Sequence, residues 1–168
     1  AHGAALCRLE RGDHRRWGVS RGDIAEAEGV AAAPKGATAV GHCGAKSGVD
    51  TGLASRVRRM RGNVIGTYNA LEGALATLDT LERFVDFSTS EVFGTHAYNV
   101  SEGQVSTIGS VGEARRTYAV PKLAGEHMAH AHTHEPKLPT APVPPFHAIG
   151  PGQHRGRAVP AFIPGARG

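Results

Sequence analysis

Cysteine is scarce in this chain: among 168 residues only Cys7 and Cys43 carry a thiol. They form no Cys-x-x-Cys pair, so neither a disulfide framework nor a thiolate zinc site is expected. Aromatic residues make up 5%, too few for a stacking platform, and no recognition-helix motif appears. A nucleic-acid partner is therefore not expected. The net charge of +4, from 19 Lys and Arg against 15 Asp and Glu, reads as a solvated or phosphate-facing surface, with arginines gathered at 8–21 and 56–61. No apolar run approaches the ~18 residues that span a bilayer, and the N-terminus lacks an apolar signal core. No membrane partner is expected, and the expected location is the cytoplasm. Without a secretory signal, the Arg-Gly-Asp tripeptides at 11–13 and 21–23 read as chance.

What is present suits one globular domain over residues 1–168, 40% hydrophobic and 20% charged. Short apolar runs at 4–7, 36–42 and 83–88 read as strands. Residues 63–78, with Val64, Leu71, Leu75 and Leu78 near helical spacing, and the alanine-rich 118–134 read as helices. That alternation predicts an α/β fold, a doubly wound parallel sheet. Residues 136–168 are rich in proline and glycine and are expected to form a poorly ordered end of the same domain.

The chemistry concentrates in two places. Tyr118 stands four residues before Lys122, one helical turn away, so both side chains project from one face. An ammonium held near a phenol stabilises the phenolate and lowers its pKa from about 10. The tyrosine then becomes a usable base for a sugar hydroxyl while hydride leaves the carbon. About thirty residues upstream lies the hydroxyl-rich run Ser88-Thr89-Ser90-Glu91-Val92-Phe93-Gly94, directly after a strand.

With these two motifs the chain resembles the extended short-chain dehydrogenase/reductase family, the NAD-dependent nucleotide-sugar epimerases, dehydratases and decarboxylases. Asn63-Val64-Ile65-Gly66-Thr67-Tyr68-Asn69-Ala70-Leu71-Glu72 is similar to the family's Asn-Val-x-Gly-Thr-x-Asn-x-Leu-Glu helix, and Val40-Gly41-His42-Cys43-Gly44-Ala45 to its Val-x-His-Leu-Ala-Ala turn. Gly22-Asp23-Ile24 resembles its adenine-side segment. The run from Pro145 to Gln153 resembles its Arg-Pro-Phe-Asn-x-Tyr-Gly-Pro-Gly-Gln, with Pro144 in place of the arginine. The resemblance implies a Rossmann-like fold and a nucleotide-sugar substrate. It also implies NAD as cofactor, with Arg8 beside Cys7 leaving NADP open, and a homodimer. It assigns catalysis to Tyr118, Lys122, Thr89, Ser90 and Glu91. Cofactor contacts fall to Asp23, Ile24, His42, Gly44, Ala45, Asn63, Tyr118, Lys122 and Pro145, and substrate contacts to Thr89, Ser90 and His147. Each has a plainer reading as well: a turn hydroxyl for Thr89, a helix cap or arginine partner for Glu91, a loop cap for Asp23, and a helix N-cap for Asn63.

Several features depart from the family pattern. No Gly-x-x-Gly-x-x-Gly turn occurs in the 168 residues, although a Rossmann domain uses that turn and the following helix N-terminus to hold pyrophosphate. By the resemblance residues 2–9 correspond to the second strand, so the first strand is expected to be absent and the sheet incomplete. Cys7 falls where the family carries the aspartate on the adenine ribose, and a thiol is a poor bidentate acceptor. Pro121 lies between Tyr118 and Lys122, inside the expected helix, where proline costs ~3 kcal/mol or more. Four prolines in 138–145 are poor material for the interior strand expected there. The run His127, His130, His132, His134 reads as a polar helix face rather than a metal site, since no third ligand is spaced for it. Two functions follow: an enzyme acting through a 4-keto sugar by epimerisation, dehydration or decarboxylation, or a truncated or degenerate relative retaining binding or oligomerisation.

Overall fold

The computed structural model describes residues 4–9, 17–46, 53–113 and 116–150, and side chains within 21–46, 56–113 and 116–150. Along the chain these form β1 (Ala4–Leu9), β2 (Trp17–Gly22), α1 (Ala27–Ala32), β3 (Ala39–His42), α2 (Leu53–Leu75), β4 (Arg83–Phe87), a 3₁₀ turn (Ser90–Phe93), α3 (Arg116–His134) and β5 (Thr140–Val143).

β3, β4 and β5 make a parallel sheet in that order, with His42 opposite Asp86 and Phe84 opposite Thr140. Helices α2 and α3 supply the crossovers that parallel neighbours require. Along β4 the buried positions alternate, Phe84 and Asp86 facing inward and Arg83 and Phe87 outward. α2 packs on β3, α3 on β4 and β5, and α1 against α2. Val30, Ala70, Leu71, Ala74, Leu81, Phe84, Ala129 and Leu138 form the core between them. The architecture is α/β and Rossmann-like, with a small, incomplete parallel sheet.

Four expectations need correction. The strand at 4–7 forms, but outside the parallel sheet: β1 pairs antiparallel with β2, Ala4 opposite Gly22 and Leu9 opposite Trp17. The interval 10–16 between them is too short for the crossover of a dozen or more residues that a parallel pair needs. α2 begins at Leu53, ten residues before Asn63, so Asn63 is no N-cap. The buried side of α2 is also only partly the apolar stripe: Asn63, Gly66, Thr67, Ala70, Leu71 and Ala74 face inward and Leu75 packs partly against the core, while Leu78 is exposed beyond the helix. Small and hydroxyl residues there let α3 approach, which apolar periodicity alone does not signal.

The fourth correction concerns the proline-rich strand, which is an edge and not an interior element of this sheet. Phe84 N–H donates to the Pro139 carbonyl and Ser88 N–H to the Val143 carbonyl. Alternate residues 139, 141 and 143 therefore face β4, and the nitrogen of Pro142 points away from the ladder. Proline is tolerated on an edge in that orientation. Pro121 does lie inside α3, as its sixth residue, with its ring fully buried. Residues 151–168 and the side chain of Cys7 lie outside the described residues.

Candidate active site

The carboxyl ends of β3, β4 and β5 lie side by side, the edge where open α/β sheets bind ligands. From β4 the chain enters the 3₁₀ turn, which Thr89 caps by accepting from the Glu91 N–H at 3.4 Å. Ser90 N–H donates to the Pro145 carbonyl at 3.1 Å, tying the exit of β5 to the motif. Phe146 then stacks on Phe93 with ring centroids 6.0 Å apart, and His147 follows, exposed to solvent. The turn thus brings Thr89, Ser90, Glu91 and Pro145 together. Gly94 closes it at φ 88°, ψ −158°, and a methyl group there would stand 2.1 Å from the Thr107 oxygen. Only glycine occupies that region readily.

α3 packs against both the 3₁₀ turn and β4. Lys122 is buried at 2% exposure, and its Nζ donates to the Phe87 carbonyl at 2.5 Å. Tyr118, half-buried, stands one turn earlier on the same helix. Burial lowers the Lys122 pKa, opposed by the negative fields of Asp86, Cys43 and Glu126. Two polar atoms near the strand end, Ser88 Oγ and Glu91 Oε2, are buried without a hydrogen-bond partner among the described residues.

On β3, His42 is buried and its Nε2 meets Thr67 Oγ1 at 3.1 Å, while that hydroxyl donates to the Asn63 carbonyl at 2.8 Å. A hydroxyl has one proton to give, so Nε2 carries the imidazole proton. Burial, reinforced by Lys122, pulls the His42 pKa down to about 4, so the ring is neutral at ordinary pH. Asn63 holds the loop after β3 from both ends of its amide: Oδ1 accepts from Lys46 N–H at 2.8 Å and Nδ2 donates to the Lys46 carbonyl at 3.3 Å. Gly44 and Ala45 lie in that loop. Ile24 covers it, its Cδ1 lying 2.7 Å from where a Gly44 methyl would be and its Cγ2 2.6 Å from the same place on Gly66. Asp23 is exposed and folds back on itself, Oδ1 accepting from Ala25 N–H at 2.9 Å. The structure thus gathers His42, Gly44, Ala45, Asn63 and Ile24 at the β3 end and Thr89, Ser90, Glu91, Pro145 and Lys122 at the β4 end. The side chains of Asp23 and His147 face solvent.

One residue in this region escaped the sequence reading. Asp86 sits at an inward position of β4 with no exposure, and neither carboxylate oxygen has a partner among the described residues. A charged residue between Phe84 and Ser88, on the inward alternation of a strand, was the available signal.

Residues 3–167 match the profile of the NAD dependent epimerase/dehydratase family. The chain belongs to that family. A dTDP-glucose 4,6-dehydratase of Streptomyces niveus is 31% identical over 150 residues, covering 89% of this chain and 43% of the relative. The low-salt glycan biosynthesis protein Agl12 of Haloferax volcanii is 27% identical over 151 residues, 90% of this chain and 46% of its own length. Among solved structures, the dTDP-glucose 4,6-dehydratase DesIV of Streptomyces venezuelae with NAD bound superposes with a TM-score of 0.71 at 27% identity, over 87% of this chain and 43% of that one. UDP-glucuronic acid 4-epimerase of Bacillus cereus in complex with NAD gives 0.67 at 25%, over 82% and 42%. The chain thus spans less than half the length of these epimerase/dehydratase relatives. Among its described residues no helix is long and apolar enough to cross a membrane.

Proposed function

We propose that this chain carries the proton-transfer end of an NAD-dependent enzyme that works on a nucleotide sugar through a 4-keto intermediate. The observation that carries the reading is the Lys122 ammonium, held at the carboxyl end of β4 beside the Ser88–Glu91 run and one helical turn from Tyr118. In this role Tyr118 removes the 4-hydroxyl proton, Lys122 stabilises the phenolate, and the Thr89 hydroxyl holds the 4-oxygen. NAD, when bound, supplies the hydride acceptor and donor. Lys122, Asn63, Ile24, the His42–Ala45 segment and Pro145 are the residues to hold it, with Asp23 at the adenine side. The orphaned Ser88 Oγ and Glu91 Oε2 fit a hydroxyl-rich ligand at the strand ends. The pyrophosphate lacks such a match, because the sequence contains no glycine-rich turn.

Once C4 is a ketone the neighbouring C–H is acidified, and Glu91 is the acid or base for the following step, with Ser90 and His147 as substrate contacts. Family dehydratases tend to carry Asp-Glu where this chain has Ser90-Glu91, which favours epimerisation or decarboxylation over loss of water. Ile65 and Tyr68 on α2 and Val120 on α3 are exposed apolar residues, and they support a homodimer through these helices. The cytoplasm remains the proposed location.

The test mixes the chain with millimolar NAD and UDP- or dTDP-sugars and follows reduced-nicotinamide absorbance in a single turnover. Hydride transfer that disappears in Tyr118→Phe supports the reading, and equal rates in both proteins refute it. A second reading, a degenerate relative without turnover, is favoured by Pro121 inside α3 and by Lys122 being spent on the Phe87 carbonyl. No transfer with any sugar, from a folded chain saturated with NAD, would support it.

A further inference from the structure

Asp86 is the one feature of the site that the family chemistry leaves without a task. Its carboxylate lies in the seam between α2 and α3: a methyl group on Gly125 would stand 3.4 Å from Asp86 Oδ2 and 3.3 Å from Thr67 Cγ2. The seam is closed, for Asp86 has no exposed surface and both oxygens lack a hydrogen-bond partner among the described residues. A carboxylate buried in that state is costly unless a counter-charge lies near.

The candidates for that charge are few. His42 is Asp86's neighbour across the β3–β4 ladder, but its imidazole is neutral and its Nε2–H is committed to Thr67. From α2 the seam receives the hydroxyl of Thr67, which is uncharged. α3 contributes Lys122, one turn before Gly125 on its face of the helix, and Glu126, one turn after Lys122. Beyond the end of β3 lies the thiol of Cys43, which acts on Lys122. Lys122 is the cation of this set, and its ammonium is bonded to the carbonyl of Phe87, the residue next to Asp86.

We propose that Asp86 is the fixed counter-charge of Lys122: a positioning residue that keeps the ammonium charged and seated at the buried end of β4, and so sets the pH range in which Tyr118 works. The fields agree with the geometry. Burial raises the Asp86 pKa, Lys122 pulls it back, and Glu126 pushes it up. Asp86 is in turn the foremost influence opposing the burial-driven fall of Lys122. Two acids near one lysine both oppose the fall that burial imposes on a side chain at 2% exposure. Glu126 has a buried oxygen without a partner as well, and its influence on Lys122 ranks below that of Asp86. The catalytic consequence rests on the function proposed above; the coupling between the two side chains does not.

The test is a titration of the whole chain labelled with ¹³C,¹⁵N-lysine, read by NMR. The exposed Lys35, Lys46 and Lys137 serve as internal references. In Asp86→Asn the Lys122 midpoint falls, in Glu126→Gln it falls less, and the reference lysines stay in place. Coupling is reciprocal, so the Asp86 carboxyl, followed by ¹³C-aspartate in Lys122→Met, titrates at higher pH than in the unaltered chain. A Lys122 midpoint in Asp86→Asn that is unchanged or raised overturns the proposal. If Asp86→Asn fails to fold, the Lys122→Met arm decides, and an unmoved Asp86 midpoint there overturns it equally. Neither readout needs turnover, so an inactive chain refutes the proposed function and leaves this result standing.

Discussion

Replacing Pro121 by alanine tests how α3 tolerates a proline at its sixth residue. The ring cannot donate to the Thr117 carbonyl and crowds it, which in a helix interior costs ~3 kcal/mol relative to alanine. That cost alone implies a gain of several degrees on removal. The ring is fully buried, however, and exchanging it for a methyl group gives up roughly two buried carbons, about 1.5 kcal/mol. Freeing the unfolded chain at this position costs a further ~0.4–1 kcal/mol. The net gain is therefore under ~1 kcal/mol, a rise in melting temperature of about 1–4 °C for a chain of this size. Pro121→Ser gains less than alanine, because a hydroxyl in that enclosed place can bond only back along its own helix. Thermal melts followed by far-UV circular dichroism give the answer. A melting temperature lower in Pro121→Ala than in the unaltered chain would show that α3 is shaped around the ring, and the assumed helix penalty would be wrong.

Acid should weaken the fold through His42. The unfolded imidazole takes up its proton as pH falls through 6.5 and the folded one only near 4, so stability is full above that interval and is lost across it, by about 3 kcal/mol. His42→Gln should flatten this slope in urea titrations run between neutral pH and about pH 4, and an unchanged slope would refute the assignment. Gly94→Ala should cost about 1–3 kcal/mol, since φ is 88° and the new methyl would meet the Thr107 oxygen; wild-type stability would contradict the turn geometry. The chain alone should bind NAD weakly, because the charge-assisted bonds of a glycine-rich cradle are each worth about 1.5–3 kcal/mol. Calorimetry giving a low-micromolar dissociation constant would overturn that expectation.

The elements that place the site were legible where residue identity carries the information. The hydroxyl run at 88–91, the Tyr118–Lys122 spacing and the order of the motifs located the β4 end, and the matched family bears out their origin. Periodicity did less well. The start of α2 was missed because residues 56–61, dense in arginine, carry no apolar stripe, and its inward side mixes Gly66, Thr67 and Ala70 with Leu71. β2 was missed because Trp17-Gly18-Val19-Ser20 is short and only partly apolar, and its pairing is settled by partner and not by propensity. Asp86 was hidden for a different reason. Its significance depends on what surrounds it, and no local pattern reveals that α2 and α3 close over a carboxylate.

The bridge between Gly94 and Thr107 has a consequence for handling the molecule. Thr95 N–H donates to the Thr107 carbonyl at 3.0 Å and Ser106 Oγ to that of Val92, so the ends of the intervening segment are pinned together at the base. Residues 95–99 and 101–105 are exposed. The segment is a closed handle on the surface, and its contour length is decoupled from the turn that holds Glu91. Doubling a loop costs only about 0.6 kcal/mol in closure entropy. An affinity peptide or fluorescent label spliced in near Asn99 would report on this chain without disturbing the strand ends.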